Sequence, residues 1–397
     1  MRTVIHTMLL TFVVVGLCLM VVGIVNRQRG LSQDREGADQ PSVVGSASLT
    51  VSDWPQFHGN QGQTGVVAGN LPGQLTLAWR FETEEEIKSS PVIVGDRVYI
   101  GSSDEQVYAL ELKTGTKIWG VTVDDAVEAP PCVVDDTVYI GTLNGTLYAL
   151  SIEDGSTRWT YATDDKVAGA ANWFKDVDGS LSILAGSYDA LLHCVDAQNG
   201  QLRWTYETDS YVNGSPAVAG NYCAFGGCDA VLRVLSVTDG NQVKGIESGA
   251  YVAGSTAMYG DFVYAGNYDG ELLKASVSQG EIVWRYAIDG DPFISTPAVT
   301  EGVVVIGGGD SHVHCVDSQT GLRRWAFPTL DIVDSSPAIC GDKVVVGSDD
   351  GRLYLLSLSD GTKLWSYEVG QAITSSPAVG RGMVVVGCDD GMVYAFK

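Results

Sequence analysis

The sequence is short of positive charge. Its 397 residues carry 24 Lys and Arg against 48 Asp and Glu, a net charge of −24, with only 5 His. A surface of that sign releases no counterions from phosphates, which excludes nucleic acid as a partner. It equally excludes docking on anionic lipid by charge. The 8 Cys stand at positions 18, 132, 194, 223, 228, 315, 340 and 388. No two are adjacent, none forms the C-x-x-C-H of haem attachment, and none has zinc spacing. Seven of them lie in the folded part, an odd number that speaks against a disulfide framework. No Ser/His/Asp nucleophile pattern and no phosphate-binding glycine loop is present. The expectation is a protein without catalysis and without a metal.

What is abundant is glycine, 48 residues of it, and short Val/Ile/Tyr runs in a chain that is 45% apolar. That composition supports a large core built of strands and turns. Length alone would suggest two or three domains, but the chain repeats itself. An apolar triplet, a glycine and an Asp/Asn turn recur eight times, as in VYIGSSD, VYIGTLN and VVVGCDD. The glycines are Gly101, Gly141, Gly186, Gly226, Gly266, Gly307, Gly347 and Gly387, at intervals of 40, 45, 40, 40, 41, 40 and 40 residues. Each unit reads as four short antiparallel strands, for example Ser89–Ile93, Val98–Gly101, Val107–Leu112 and Lys117–Trp119. Four strands every 40 to 45 residues predict β-propeller blades.

The last unit, Ser375 to Lys397, stops after its third strand. Leu75–Glu82 (LTLAWRFE) precedes the first complete unit and reads as a fourth strand. The N-terminal strand is therefore expected to complete the last blade, which removes the open edges of the ring. The fold class is all-β, an eight-bladed propeller. Trp79, Trp119, Trp159, Trp204, Trp284, Trp325 and Trp365 share one slot and read as interblade packing; blade four has Lys244 there.

The blade TLYALSIEDGSTRW (Thr146–Trp159), with its small Ala, glycine turn and terminal Trp, resembles the quinoprotein-type (PQQ-like) propeller repeat. The lead-in WPQFHGNQGQTG (Trp54–Gly65) looks like the segment that opens many bacterial proteins of that class. The resemblance spans Trp54–Lys397 and speaks for fold more than for function. It points to two branches. One comprises dehydrogenases that use pyrroloquinoline quinone and calcium, with an adjacent Cys-Cys disulfide over the quinone, a Glu/Asn/Asp calcium cluster and an Asp base. The other comprises non-catalytic propellers such as the barrel-assembly lipoprotein of the outer membrane (BamB). With no adjacent cysteines here, no cofactor is expected, and pyrroloquinoline quinone with calcium stays as the alternative. The Asp that often closes the third strand in the family is kept at Asp196 and Asp317. It is Ser at Ser151, Ser236, Ser276 and Ser357 and Glu at Glu111, which implies weaker turns.

Residues 1–26 read as a transmembrane anchor, because Thr7–Val25 is an uncharged run of 19 residues, long enough to span a bilayer as a helix. A cleaved signal or a lipoprotein at Cys18 are the other readings; no small-x-small cleavage site follows directly, and Leu17 stands where a lipoprotein needs a small residue. Residues 27–52 read as a flexible polar tether and 53–397 as the propeller. Arg27, Arg29 and Arg35 outnumber Arg2, which by the positive-inside rule favours a cytoplasmic propeller. The resemblance implies export, and a single-pass membrane protein with a periplasmic propeller is the expectation. Its partner is then an envelope or membrane protein, and the chain a monomer; a quinone-dependent oxidoreductase and an extracytoplasmic glycan or small-ligand sensor are the alternatives.

Binding residues are sought where the repeat breaks. The position before the small step of the first strand reads Lys88, Glu128, Ala168, Asn213, Ala253, Ile294, Asp334 and Thr374, expected at the axial funnel. Arg233, Lys244 and Lys274 enter slots that are apolar elsewhere, which suggests an anionic-ligand site at blades four and five or a seam open to water. The acidic turn residues Asp104, Asn144, Asp189, Asp229, Asp269, Asp310, Asp350 and Asp390 read as turn chemistry rather than a cation ring. His312 and His314 share a strand face, as a metal pair would. His193 and His314 also fill the slot of Tyr108, Tyr148 and Tyr354, and packing is the preferred reading. Blade three carries an insertion at Asp176–Ser180, expected as a long hairpin loop and a contact point.

Overall fold

In the computed structural model, residues 53–252 and 254–397 are described; the expected anchor and tether, and Ala253, lie outside them. The described residues form eight sheets, seven of four strands and one of five. Blade one has strands A to D at Val92–Val94, Arg97–Ser102, Gln106–Glu111 and Lys117–Thr122. Blades two to seven repeat this order. Blade eight has Ala378–Gly380, Met383–Gly387 and Met392–Phe396, and its fourth strand is Leu77–Glu82 from the other end of the chain. Trp79 pairs with Ala395 and Glu82 with Met392. The expected closure is what forms.

The repeat glycines have a steric reason. A Cβ on Gly141 would stand 2.3 Å from Val167 Cγ1, and one on Gly387 2.4 Å from Ile87 Cγ2. Each glycine lies within a residue of the end of strand B and receives a fully buried side chain of the following blade, so the seams close only without a side chain there. The Trp slot forms a second layer of seam contacts. A register shift precedes the Trp in strand D, a bulge that turns the ring toward the next blade. Trp79 Nε1 then donates to Leu112 O at 2.7 Å, Trp159 to Ala197 O at 2.9 Å and Trp325 to Leu358 O at 2.9 Å. The indoles lie on the glycines of the next C–D turn, Gly115, Gly200 and Gly361, whose positive φ only glycine adopts freely.

A third layer rings the axis. The Ser215 amide donates to Ser255 Oγ at 2.8 Å, Ser336 to Ser376 Oγ at 2.9 Å and Ser376 to Ser90 Oγ at 2.8 Å. The small step is thus a belt of interblade bonds. The turns after strand C are also sound. Asp196 and Asp317 accept turn amides as the family Asp does, but Ser151 Oγ, Ser276 Oγ and Glu111 Oε2 take equivalent N–H groups. The expected weakening of those turns is offset by this replacement.

Candidate functional site at the axial funnel

The innermost strand of each blade has an unpaired edge facing the axis, and its buried N–H groups need acceptors. The lead-in supplies them. Ile93 N donates to Trp54 O, Val133 to Pro55 O, Val218 to Gln61 O, Met258 to Gly62 O, Val299 to Thr64 O and Ile339 to Gly65 O, all at 2.7 to 2.8 Å. Blade three joins through Gln61 Nε2 to Trp173 O at 2.7 Å. Val66–Val67 then run parallel to Ile339–Cys340 as the fifth strand of blade seven. Trp54, Gln56, Phe57, His58 and Gln63 are buried. The lead-in therefore winds past seven blades in chain order and fills the axial channel at the end of the A–B turns. His58 sits within it, Nδ1 2.7 Å from Gln63 O and Nε2 2.9 Å from Pro337 O. Two carbonyls favour a protonated ring, but complete burial outweighs them and pushes its pKa down to about 4.

The funnel is consequently blind, open only where the D–A and B–C loops meet. Lys88, Glu128, Asn213, Asp334 and Thr374 stand near that mouth, about 3.3 Å per residue up strand A from the lead-in. Lys88 Nζ lies 2.8 Å from Glu86 and 3.6 Å from Glu128. Thr374 Oγ1 donates to Asp389 Oδ1 at 2.8 Å.

Two further positions complete the mouth, and the sequence reading did not single them out. The residue two places after each repeat glycine donates its amide to the D–A loop of its own blade. Tyr188 bonds Lys166 O, Tyr268 bonds Tyr251 O, Asp349 bonds Ile332 O and Asp389 bonds Ala372 O, at 2.9 to 3.1 Å. These positions vary by sector. Blades seven, eight and one bring Asp334, Asp349, Asp389 and Glu86. Across the axis, blades three to five bring Tyr188, Tyr211, Tyr251 and Tyr268. Tyr188 and Tyr211 stack at 4.9 Å, Lys166 Nζ lies 4.1 Å over the Tyr188 ring, and Tyr251 meets Tyr268 at 6.5 Å. Tyr211, Tyr251 and Tyr268 are about half exposed. On the acidic wall, burial first, then Asp334, Asp331 and Asp389, push the Asp349 carboxyl up to about 7. Asp334 and Asp389 are raised as well, chiefly by burial.

The three cations do not converge, which corrects the expected anionic site. Arg233 faces the seam toward blade three, 2.7 Å from Asp229 and 6.0 Å from the Tyr206 ring. Lys244 lies against Gly280 of blade five, where a Trp lies at other seams. Lys274 is 2% exposed and faces blade six, donating to Ser318 O at 2.8 Å with Phe262 3.8 Å below. Arg233 is paired and Lys274 hydrogen-bonded at its own seam, and Lys244 packs at a third, so no shared pocket forms.

The acidic turn residues do cap turns, as Asp104 Oδ1 accepts Gln106 N and Asp390 Oδ1 accepts Met392 N. They also accept from the strand C aromatic, Tyr108 to Asp104 at 2.7 Å and Tyr394 to Asp390 at 2.6 Å. His314 takes that role in blade six, with Nε2 3.0 Å from Asp310 and Nδ1 2.9 Å from the Tyr286 hydroxyl. His193 does the same with Asp189 and Tyr161. These are seam ties. His312 and His314 both turn a ring nitrogen to Asp310, and among the described residues no group of three or more His, Cys, Asp or Glu is placed to hold a metal ion. The blade-three insertion forms its loop at Asp176–Ser180, held by Arg203 between Asp176 and Asp196, with Val177 at its exposed tip.

The family profile described as outer membrane protein assembly factor BamB matches residues 64–174, 174–297 and 309–397. No curated protein matches the chain significantly. Among solved structures, BamB from Moraxella catarrhalis superimposes with a TM-score of 0.70 at 18% identity, over 81% of this chain and 97% of its own. The computationally designed Ika8 protein gives 0.71 at 18% identity, over 79% and 97%. Quinohemoprotein alcohol dehydrogenase from Comamonas testosteroni gives 0.71 at 15% identity, over 88% and 81%. At these identities the structures share the fold, while the profile covers most of the chain. The chain belongs to the BamB-type PQQ-repeat propeller family.

Proposed function

We propose that this protein is a non-catalytic, membrane-tethered interaction platform on the extracytoplasmic side of the membrane, which holds an envelope protein through its funnel face. The observation that carries this reading is the blind funnel. The chain's own lead-in occupies one end of the axis through fixed backbone bonds, and the open end varies from blade to blade while the seams repeat. Fixed seams and a varied mouth are what a recognition surface on a rigid scaffold requires. Kinship with a family named for outer membrane protein assembly is in keeping with it.

A quinone-dependent oxidoreductase is the second reading, since a quinohemoprotein shares the fold. The residues present do not fit that cofactor pair. No cysteines are adjacent, and the carboxylates of the mouth repel one another without forming a metal-donor group among the described residues.

The test is cross-linking of intact envelopes followed by affinity purification of the full chain. The reading predicts that one membrane or envelope protein co-purifies in defined proportion. Recovery of the chain alone, at every cross-linker length, contradicts it.

A further inference from the structure

The funnel mouth has features that a general interaction platform does not need. Its acidic wall holds Asp334, Asp349 and Asp389, and the nearby Lys88 is already paired with Glu86 and Glu128. Asp349 Oδ1 and Asn213 Oδ1 are two of the three buried side-chain oxygens without a hydrogen-bond donor among the described residues. Both are acceptors, so whatever satisfies them must donate. The opposite wall presents four tyrosines, whose ring faces attract cations. Lys166 over Tyr188 already uses one of them in that way. The lead-in stops anything from threading through the ring. An occupant therefore enters from one face and ends inside.

We propose that the mouth is a docking site for a cationic polypeptide segment, whose Lys or Arg side chains sit between the carboxylates of blades seven and eight and the tyrosines of blades three to five. This rests on the platform reading above and names the chemistry of its partner. An acidic segment is repelled by the wall and by the net charge of −24, which also steers cations toward the protein. A neutral saccharide can donate its hydroxyls to the carboxylates but brings no positive charge to offset their mutual repulsion. Burial first, and the neighbouring carboxylates after it, raise the pKa values on the acidic wall, and an arriving cation offsets the repulsion between them.

The test uses the full chain in detergent micelles and calorimetry with hexalysine, hexaglutamate and maltohexaose. Hexalysine is expected to bind saturably at one site. Its affinity should fall about tenfold in D334N/D349N and severalfold in Y211S/Y268S, with spectra showing that both variants remain folded. D135N/E281Q removes the same charge from the exposed opposite face and should change affinity less than twofold. Equal weakening in D135N/E281Q, binding of maltohexaose that survives D334N/D349N, or no hexalysine binding overturns the proposal. Failure here is separable from failure of the platform reading. If D334N/D349N still captures the envelope partner, the platform stands and the cationic docking site falls. If the wild type binds hexalysine but captures no envelope protein, the reverse holds.

Discussion

The amide of Ser376 donates to Ser90 Oγ at 2.8 Å, across 286 residues of sequence. That bond closes the inner belt of the ring at the seam where the chain ends meet. Ser90→Ala leaves a buried N–H without its acceptor and should cost about 1–2 kcal/mol. Urea denaturation of the two proteins measures it. An unchanged midpoint would mean that the belt adds nothing to closure.

Lys244 is the one break in the Trp layer. Lys244→Trp would lay an indole on Gly280, as Trp204 lies on Gly240, with Val277 O in the place of its partners' acceptors. Filling the slot should stabilise the protein by about 1 kcal/mol. A loss of stability would show that blade four has adapted to the lysine.

His58 makes the lead-in sensitive to acid. Its pKa is about 4 in the fold against an ordinary 6.5, so the unfolded chain binds the proton first. The stabilisation is complete above about 6.5 and is lost as the pH falls toward 4, by about 3 kcal/mol for this group alone. His58→Asn keeps a residue that tolerates the positive φ of 57°. Its unfolding free energy should fall less between pH 6.5 and 4 than that of the wild type. Parallel curves would assign the acid sensitivity elsewhere.

Asp349 works in the opposite sense. Its pKa near 7 lies above the ordinary value, so its favourable contribution is present at low pH and lost as the pH rises through 7. Asp349→Asn should match the wild type below about pH 4 and exceed it by a growing margin up to pH 8. After solvent screening the gain is on the order of 1 kcal/mol. An Asn variant less stable at pH 8 would mean that the charged carboxylate is compensated.

The ring was legible in the sequence because its interactions recur. Gly101 to Gly387, the Trp slot and the closing strand at Leu77–Glu82 each answer to a period of about 40 residues, and a periodic contact leaves a periodic signal. The lead-in was legible only as a resemblance. Trp54 to Val67 has no period, since each of its carbonyls meets a different blade. Lys88, Glu128, Asn213, Asp334 and Thr374 were read from the first strand, while Tyr188, Tyr268, Asp349 and Asp389, which stand at the same mouth, were not singled out. The signal was available, because the position two after each glycine varies in size and charge while the residue before it stays small and the one after it stays Asp or Asn. Arg233, Lys244 and Lys274 were grouped by closeness in sequence. Strand alternation and the blade order send them to three different seams.

The most direct measurement is a titration of the purified protein with pyrroloquinoline quinone and calcium, followed by tryptophan fluorescence and calorimetric heat. The interaction-platform account predicts no saturable response up to high micromolar cofactor. Saturable binding of one quinone per chain would contradict it and make this propeller an oxidoreductase.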